Sequence, residues 1–152
     1  MHPLGLPDGP PGATCAACVW AKNARCGMLA PEGAEGPPVD DTTPACGLFE
    51  AALDCLACGA CCREAYDSVP VAEDDEVRRA HPELLRVDGD WVDLQRVPSP
   101  TGCGTRCVAL RGDGPYTCQI YAVRPATCRD VATGSSGCLF ARRRVGLSED
   151  PR

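Results

Sequence analysis

The sequence predicts a small, loop-rich α+β fold in which short helices and one or two β-hairpins surround a cysteine cluster. Among its 152 residues are 16 glycines and 15 prolines, which favour turns over long regular elements. Two Phe, two Trp and three Tyr are the main source of bulky apolar side chains, so we expect a thin hydrophobic core. Thirteen cysteines are then the residues best suited to stabilise so small a fold.

Composition divides the chain into four segments. Residues 1–13 are rich in Pro and Gly and predict a flexible tail. Residues 14–53 form a cysteine-bearing N-terminal extension with a linker-like stretch at 30–44. Most of the cysteines lie in residues 54–146, which predict the main domain, and residues 147–152 form a short tail.

The first elements of the chain are predicted to present cysteines. Thr14 is a suitable cap for a helix over 16–25, which would place Cys15 and Cys18 on one side and end at Cys26. Around Cys55 a dense run of cysteines indicates a knuckle, in which Gly59 permits the sharp backbone turn.

Later elements follow from turn and cap signals. Acidic residues at 73–76 precede a short helix over 77–80, and a turn at 88–89 leads into a strand over 91–94. A second hairpin is predicted between 106–110 and 116–121, with Cys107 and Cys118 on opposing strands. Pro125 suits the start of a helical turn carrying Cys128, and a terminal helix is expected over 138–145.

The cysteine pattern favours metal over disulfides. The total is odd, Cys61 and Cys62 are adjacent, and the spacing C-x-x-C recurs. At the N-terminus no basic stretch precedes an apolar run, and no apolar run approaches the roughly 20 residues that span a bilayer. We therefore expect a cytoplasmic chain with reduced thiols and no membrane partner.

The scarcity of histidine narrows the ligand chemistry. Only His2 and His81 are present, so mixed Cys/His zinc sites would be hard to build. All-sulfur ligation leaves an iron–sulfur cluster, which we favour, or zinc held by four thiolates, and the cysteines suffice for more than one centre. Such centres carry negative charge and need hydrogen-bond donors or positive charges nearby. The candidates, which adjoin the cysteine segments, are Arg63, Arg106, Arg124 and Arg129.

Three sequence blocks resemble one known family. They are Cys-Leu-Ala-Cys-Gly-Ala-Cys-Cys at 55–62, Arg-Cys-Val-Ala-Leu at 106–110, and Cys-Gln-Ile-Tyr-Ala-Val-Arg-Pro-Ala-Thr-Cys-Arg at 118–129. In order and spacing they are similar to the YkgJ-type or CxxCxxCC proteins, a family of zinc- or iron-chelating domains. The resemblance covers roughly residues 54–140 and implies that the metal ligands are Cys55, Cys58, Cys61, Cys62, Cys107, Cys118, Cys128 and Cys138.

Five cysteines lie outside this resemblance. Four of them precede it and either form an added metal site or extend the central one; they are Cys15, Cys18, Cys26 and Cys46. Cys103 is the remaining one and is as readily explained as a small apolar side chain.

Several functions agree with a cysteine-bound metal. The preferred roles are electron transfer, iron handling and service as an accessory to a partner enzyme. The alternatives are a structural zinc module for protein interaction or a metal-dependent enzyme subunit for protein modification. We predict no catalytic residue and lean against an enzyme. A protein partner is expected, whereas residues 1–95 carry 17 acidic against 6 basic side chains, which disfavours nucleic acid.

Overall fold

Short helices separated by loops account for much of the regular structure in the computed structural model, which describes residues 1–151. The α-helices are α1 (Cys55–Cys58), α2 (Val77–Ala80), α3 (Ala126–Arg129) and α4 (Ser136–Arg144). Single turns of 3₁₀ helix lie at Cys15–Ala17, Gly27–Leu29, Pro82–Leu84 and Tyr121–Val123. Only α4 is longer than four residues within the described chain.

The strands pair two by two into antiparallel ladders. They are β1 (Ala21–Lys22), β2 (Arg25–Cys26), β3 (Leu85–Asp88), β4 (Trp91–Leu94), β5 (Arg96–Pro98), β6 (Thr105–Cys107), β7 (Leu110–Arg111) and β8 (Thr117–Cys118). Each strand pairs with its neighbour in the chain, giving β1–β2, β3–β4, β5–β6 and β7–β8. The small, loop-rich α+β class is therefore confirmed, with four ladders instead of one or two hairpins.

The chain forms two compact units. Unit 1 comprises Met1–Leu53, Thr133–Leu139 and 148–151, and unit 2 comprises Asp54–Ala132 and Phe140–Leu147. In unit 1, Trp20 is buried and its indole Nε1 donates a hydrogen bond of 2.7 Å to Glu50. The stretch 1–13 also makes backbone contacts there, since Gly9 N donates to Ala45 O and Gly47 N to Pro7 O.

Unit 2 has two apolar clusters. The larger, which we call the valine cluster, has four valines and four other residues: Val69, Val71, Val77, Val92, Leu94, Cys107, Ala109 and Ile120. Cys118 and Cys128 pack against it. The smaller, which we call the alanine cluster, is formed by Ala60, Ala65 and Ala141, against which Cys58 and Cys61 pack. Cysteines therefore take part in both clusters of a core that few large side chains fill.

Several predicted elements are confirmed. The helical turn at 77–80 is α2, the turn at Gly89 joins β3 to β4, and α3 begins directly after Pro125. The terminal helix is α4, which starts at Ser136. No helix in residues 1–151 combines the length and apolar character needed to cross a membrane.

The helix predicted over 16–25 is wrong. Residues Cys15–Ala17 make one 3₁₀ turn, after which β1 and β2 form a hairpin with Ala21 opposite Cys26. Asn23 and Ala24 in the connecting turn have φ values of 51° and 58°, as a two-residue hairpin turn requires. The favourable helix propensity of alanine is overridden by this turn.

The second predicted hairpin is also wrong in its pairing. Cys107 lies on β6 opposite Arg96 of β5, whereas Cys118 lies on β8 opposite Leu110 of β7. The run 106–110 is divided between two ladders. Its first part belongs to β6, which pairs with β5 through the turn after Ser99, and its last residue belongs to β7, which pairs with β8. Cys107 and Cys118 therefore do not face each other across one ladder.

Candidate metal centres

The knuckle that carries the first cysteines of unit 2 is built by α1 and its two ends. The Asp54 carboxylate accepts hydrogen bonds from Leu56 N (3.0 Å) and Ala57 N (3.4 Å), which fixes the start of the helix. Gly59 ends it with a φ of 58°, in the left-handed region. A Cβ atom at Gly59 would lie 2.5 Å from Cγ of Tyr116, so this position requires glycine for space as well as for backbone conformation.

Five thiols from four segments come together in unit 2. Cys61 and Cys62 follow the knuckle, and the others lie on β6, β8 and α3; we call Cys61, Cys62, Cys107, Cys118 and Cys128 the five-cysteine cluster. The backbone joins two of these segments directly, since Cys107 N donates to Cys62 O at 2.8 Å. The cluster is thus assembled by tertiary structure and not by one local motif.

The thiols of this cluster act on one another's pKa values. Burial, together with the charges of Cys107, Cys128, Cys118 and Cys61 in that order of importance, raises the pKa of Cys62 to about 12. Burial, with the charges of Cys107, Cys118 and Cys61, likewise raises the pKa of Cys128 to about 12. Thiolates in this cluster would repel one another, and a bound cation is what allows several of them to deprotonate together.

Positive groups and amide hydrogens already face part of the cluster. Burial raises the pKa of Cys107, but hydrogen bonds from the amides of Ala109 and Leu110 and the charge of Arg96 act to lower it. The charge of Arg124 acts in the same direction on Cys128. These are the contacts by which proteins stabilise metal-bound sulfur.

Arg96 was not among the arginines predicted to lie beside the cysteines. It lies eleven positions before Cys107 and reaches it only because β5 pairs with β6, so no local spacing marked it. Its guanidinium also donates to the backbone carbonyls of Arg63 (3.1 Å) and Thr105 (2.9 Å).

The other predicted arginines make different contacts. Arg63 donates to the Tyr116 hydroxyl at 3.1 Å, and Arg106 forms ion pairs of 3.0 Å with Glu64 and with Asp113. Arg129 donates to Arg124 O at 2.8 Å. These contacts therefore tie segments of unit 2 to one another.

Three further predicted ligands of the main domain are Cys55, Cys58 and Cys138. Cys55 is exposed on α1, and Cys58 is half-buried against the alanine cluster of unit 2. Cys138 is buried on the part of α4 that belongs to unit 1. Cys103 is exposed on the turn between β5 and β6.

The four N-terminal cysteines also come together, in unit 1. Cys15, Cys18, Cys26 and Cys46 all line one cavity, whose other walls are Trp20, Ala21, Met28, Val39, Leu48 and Phe49. Burial is the main cause that raises the pKa of Cys15, and the charges of Cys46, Cys26 and Cys18 act in the same direction. We refer to these four residues as the N-terminal quartet.

Neither group of thiols is arranged in final metal geometry. Within residues 1–151 no three His, Cys, Asp or Glu side chains are positioned so that they could hold an ion. The thirteen cysteines are thiols and not disulfides. The donor chemistry nevertheless fits a soft metal, because sulfur atoms dominate both groups, and binding requires the side chains to turn toward a common point.

A family profile described as "CxxCxxCC: Putative zinc- or iron-chelating domain" matches residues 54–142, which is more than half of the chain. The chain belongs to the CxxCxxCC family. Membership supports metal binding by the segment that contains the five-cysteine cluster. The family resemblance of the sequence blocks is thereby confirmed.

One curated relative of this CxxCxxCC protein is a "Putative ferredoxin" of Acinetobacter calcoaceticus. The two are 35% identical over 91 residues, which cover 59% of this chain and 71% of the relative. No solved structure matches the chain.

Proposed function

We propose that the five-cysteine cluster binds an iron–sulfur cluster and that the protein transfers electrons to or from a protein partner. The observation that carries this proposal is the convergence of five soft ligands from separate segments of unit 2. Iron–sulfur clusters are held by cysteine thiolates brought together in this way. The name of the 35% identical relative is in agreement with this role.

The surroundings of the thiols favour a redox centre. The amides of Ala109 and Leu110 donate to the Cys107 sulfur, and the charges of Arg96 and Arg124 act on the cluster. Hydrogen bonds to sulfur and nearby positive charge are the means by which a protein raises the reduction potential of an iron–sulfur cluster. When bound, the iron–sulfur cluster would supply one-electron transfer, and these amides and arginines would set its reduction potential.

An exposed aromatic group close in sequence to the cluster is suited to partner contact. Tyr121 is 64% exposed, three residues after Cys118, and the Arg124 guanidinium lies 4.0 Å from its ring centre. Tyr and Arg are enriched in protein interfaces. This pair supports the expected protein partner.

Structural zinc is the second candidate, because the thiols also take part in the apolar core. Cys107 is one of the buried members of the valine cluster, and Cys118 and Cys128 pack against it. A structural ion at that place would hold together β6, β8 and α3 in the way that zinc stabilises small domains.

Anaerobic purification followed by analysis of iron, zinc and acid-labile sulfide tests the proposal. We expect a brown protein with iron and sulfide, and an electron paramagnetic resonance signal after reduction or oxidation. Cys118→Ser and Cys128→Ser should each lower the iron and sulfide content, whereas Cys103→Ser, at the exposed cysteine, should not. A colourless protein whose zinc is lost in the same two variants would establish the structural alternative.

A further inference from the structure

We infer that the N-terminal quartet is a second metal site, which binds a single zinc ion through four thiolates. The quartet lies in unit 1 and outside the residues matched by the family, 54–142. The inference is independent of the metal bound in unit 2.

The cavity lined by the quartet has the size and walls of a site for one ion. Its volume is about 20 Å³, which accommodates one water-sized particle. All its walls other than the thiols are apolar side chains, such as those of Trp20, Met28 and Phe49. Without a lining carboxylate or carbonyl ligand set, the cavity does not suit Ca²⁺ or Mg²⁺, and its four sulfurs suit a soft ion. An iron–sulfur cluster, with its own sulfides, would need a larger space.

The backbone fixes the four cysteines from separate directions. Cys15 begins a 3₁₀ turn whose end is closed by a 3.0 Å hydrogen bond from Cys18 N to Cys15 O. Cys26 ends β2, and its amide donates to Pro37 O at 2.9 Å. Cys46 pairs with Asp8 in an isolated β-bridge. Because these anchors are backbone bonds, the thiols can rotate onto an ion while the loops stay in place.

Two backbone amides face the sulfur of Cys26. They belong to Leu29 and Met28, in the 3₁₀ turn that directly follows it. The same arrangement occurs at Cys107, where the amides two and three residues later are the donors. Amide donors of this kind stabilise a ligand sulfur that keeps negative charge after it binds a metal.

A buried histidine supports the quartet without belonging to it. His2 is 3% exposed, and its Nδ1 accepts a 3.1 Å hydrogen bond from Leu4 N, which assigns the ring proton to Nε2. Nε2 then donates to Pro44 O at 2.6 Å and lies 3.9 Å from the Cys15 sulfur. Since both ring nitrogens have backbone partners, the imidazole positions Cys15, and the ligands remain the four sulfurs.

Metal analysis of the full-length protein and its variants tests the site. The unaltered chain should contain one zinc ion beyond the metal of unit 2. Cys18→Ser and Cys46→Ser should each lose that zinc and keep the iron and sulfide content, while Cys103→Ser keeps all three. Cys18→His should retain zinc, because an imidazole can replace a thiolate ligand at this half-buried position.

Cobalt titration gives a second readout, in which all four cysteines of the quartet are kept. Added to the metal-free, reduced protein, Co²⁺ should produce the intense visible absorption of a tetrahedral thiolate complex. It should also quench Trp20, observed alone in the Trp91→Phe variant, because Trp20 lines the cavity. Unchanged zinc in Cys18→Ser and Cys46→Ser, or loss of iron in its place, would overturn the inference. A protein that contains no iron, and that loses one zinc ion in Cys18→Ser and in Cys46→Ser, would overturn the proposed function and leave this inference in place.

Discussion

Arg86 and Asp93 face each other across the β3–β4 ladder and form a bidentate ion pair. Arg86 Nε and Nη2 each lie 2.9 Å from a carboxylate oxygen of Asp93. Asp93 is 1% exposed, and it also accepts a hydrogen bond of 3.2 Å from the Ser68 hydroxyl. A buried carboxylate with these donors links the longest ladder of unit 2 to the segment before it.

We predict that Asp93→Asn destabilises the protein by about 1.5–3 kcal/mol, the typical value of hydrogen bonds to a charged group. The amide keeps the shape of the side chain but cannot accept both bonds from Arg86. Urea unfolding measures the change. Asp90→Asn, at an exposed residue of the adjoining turn, is the matched control and should leave the midpoint within error. Equal midpoints for the two variants would contradict a structural role for the pair.

The same carboxylate predicts a pH dependence. Hydrogen bonds from Arg86 lower the pKa of Asp93 below its ordinary value, against the opposing effect of burial. The stability gained from Asp93 is therefore complete above the ordinary Asp pKa of about 4, and it is lost as pH falls through the lower pKa of the folded protein. Urea midpoints measured from neutral pH downward should converge for Asp93→Asn and Asp90→Asn in acid. A constant difference at low pH would show that the charge of Asp93 is not involved.

Local chemistry in the sequence was sufficient to predict the elements set by single residues. Gly59 at the knuckle, the turn at Gly89 and Pro125 before α3 act through their own backbone preferences, and the structure confirms all three. The turn at Asn23 and Ala24 was not predictable in this way, because non-glycine residues adopt positive φ there only within the hairpin they close.

Long-range pairing explains the rest of what the sequence did not predict. Arg96 acts on Cys107 only through the register of β5 and β6. The burial of His2 depends on contacts with Pro44, forty-two positions away, whereas the composition of residues 1–13 resembles that of a tail. Tertiary contacts of this kind leave no periodicity or spacing in a single sequence.

Gly59→Ala should destabilise unit 2 and lower its metal content. The substitution places a Cβ atom on a residue with a φ of 58°, at a cost of about 1–2 kcal/mol, and brings it within 2.5 Å of the Tyr116 ring. Gly89→Ala is the matched control, since Gly89 has the same φ of 58° and no atom lies within 4 Å of the added Cβ. Thermal unfolding and metal analysis of both variants separate the two effects. The excess loss in Gly59→Ala measures the contact with Tyr116, and equal losses would show that this contact is unimportant.

Metal removal should unfold much of unit 2. Half of the members of its valine cluster are valines and one is Cys107, so few aromatic or other large side chains remain to hold β6, β8 and α3 once the thiols have no shared ion. Metal binding that is coupled to folding in this way makes the metal-free chain sensitive to protease. We expect a chelator under reducing conditions to speed cleavage within residues 54–132 far more than it does in the untreated protein. Mass spectrometry of the fragments locates the cuts, and a Cys103→Ser protein should behave like the unaltered chain. Retention of an intact, protease-resistant unit 2 after complete metal loss would show that the valine cluster alone stabilises this unit.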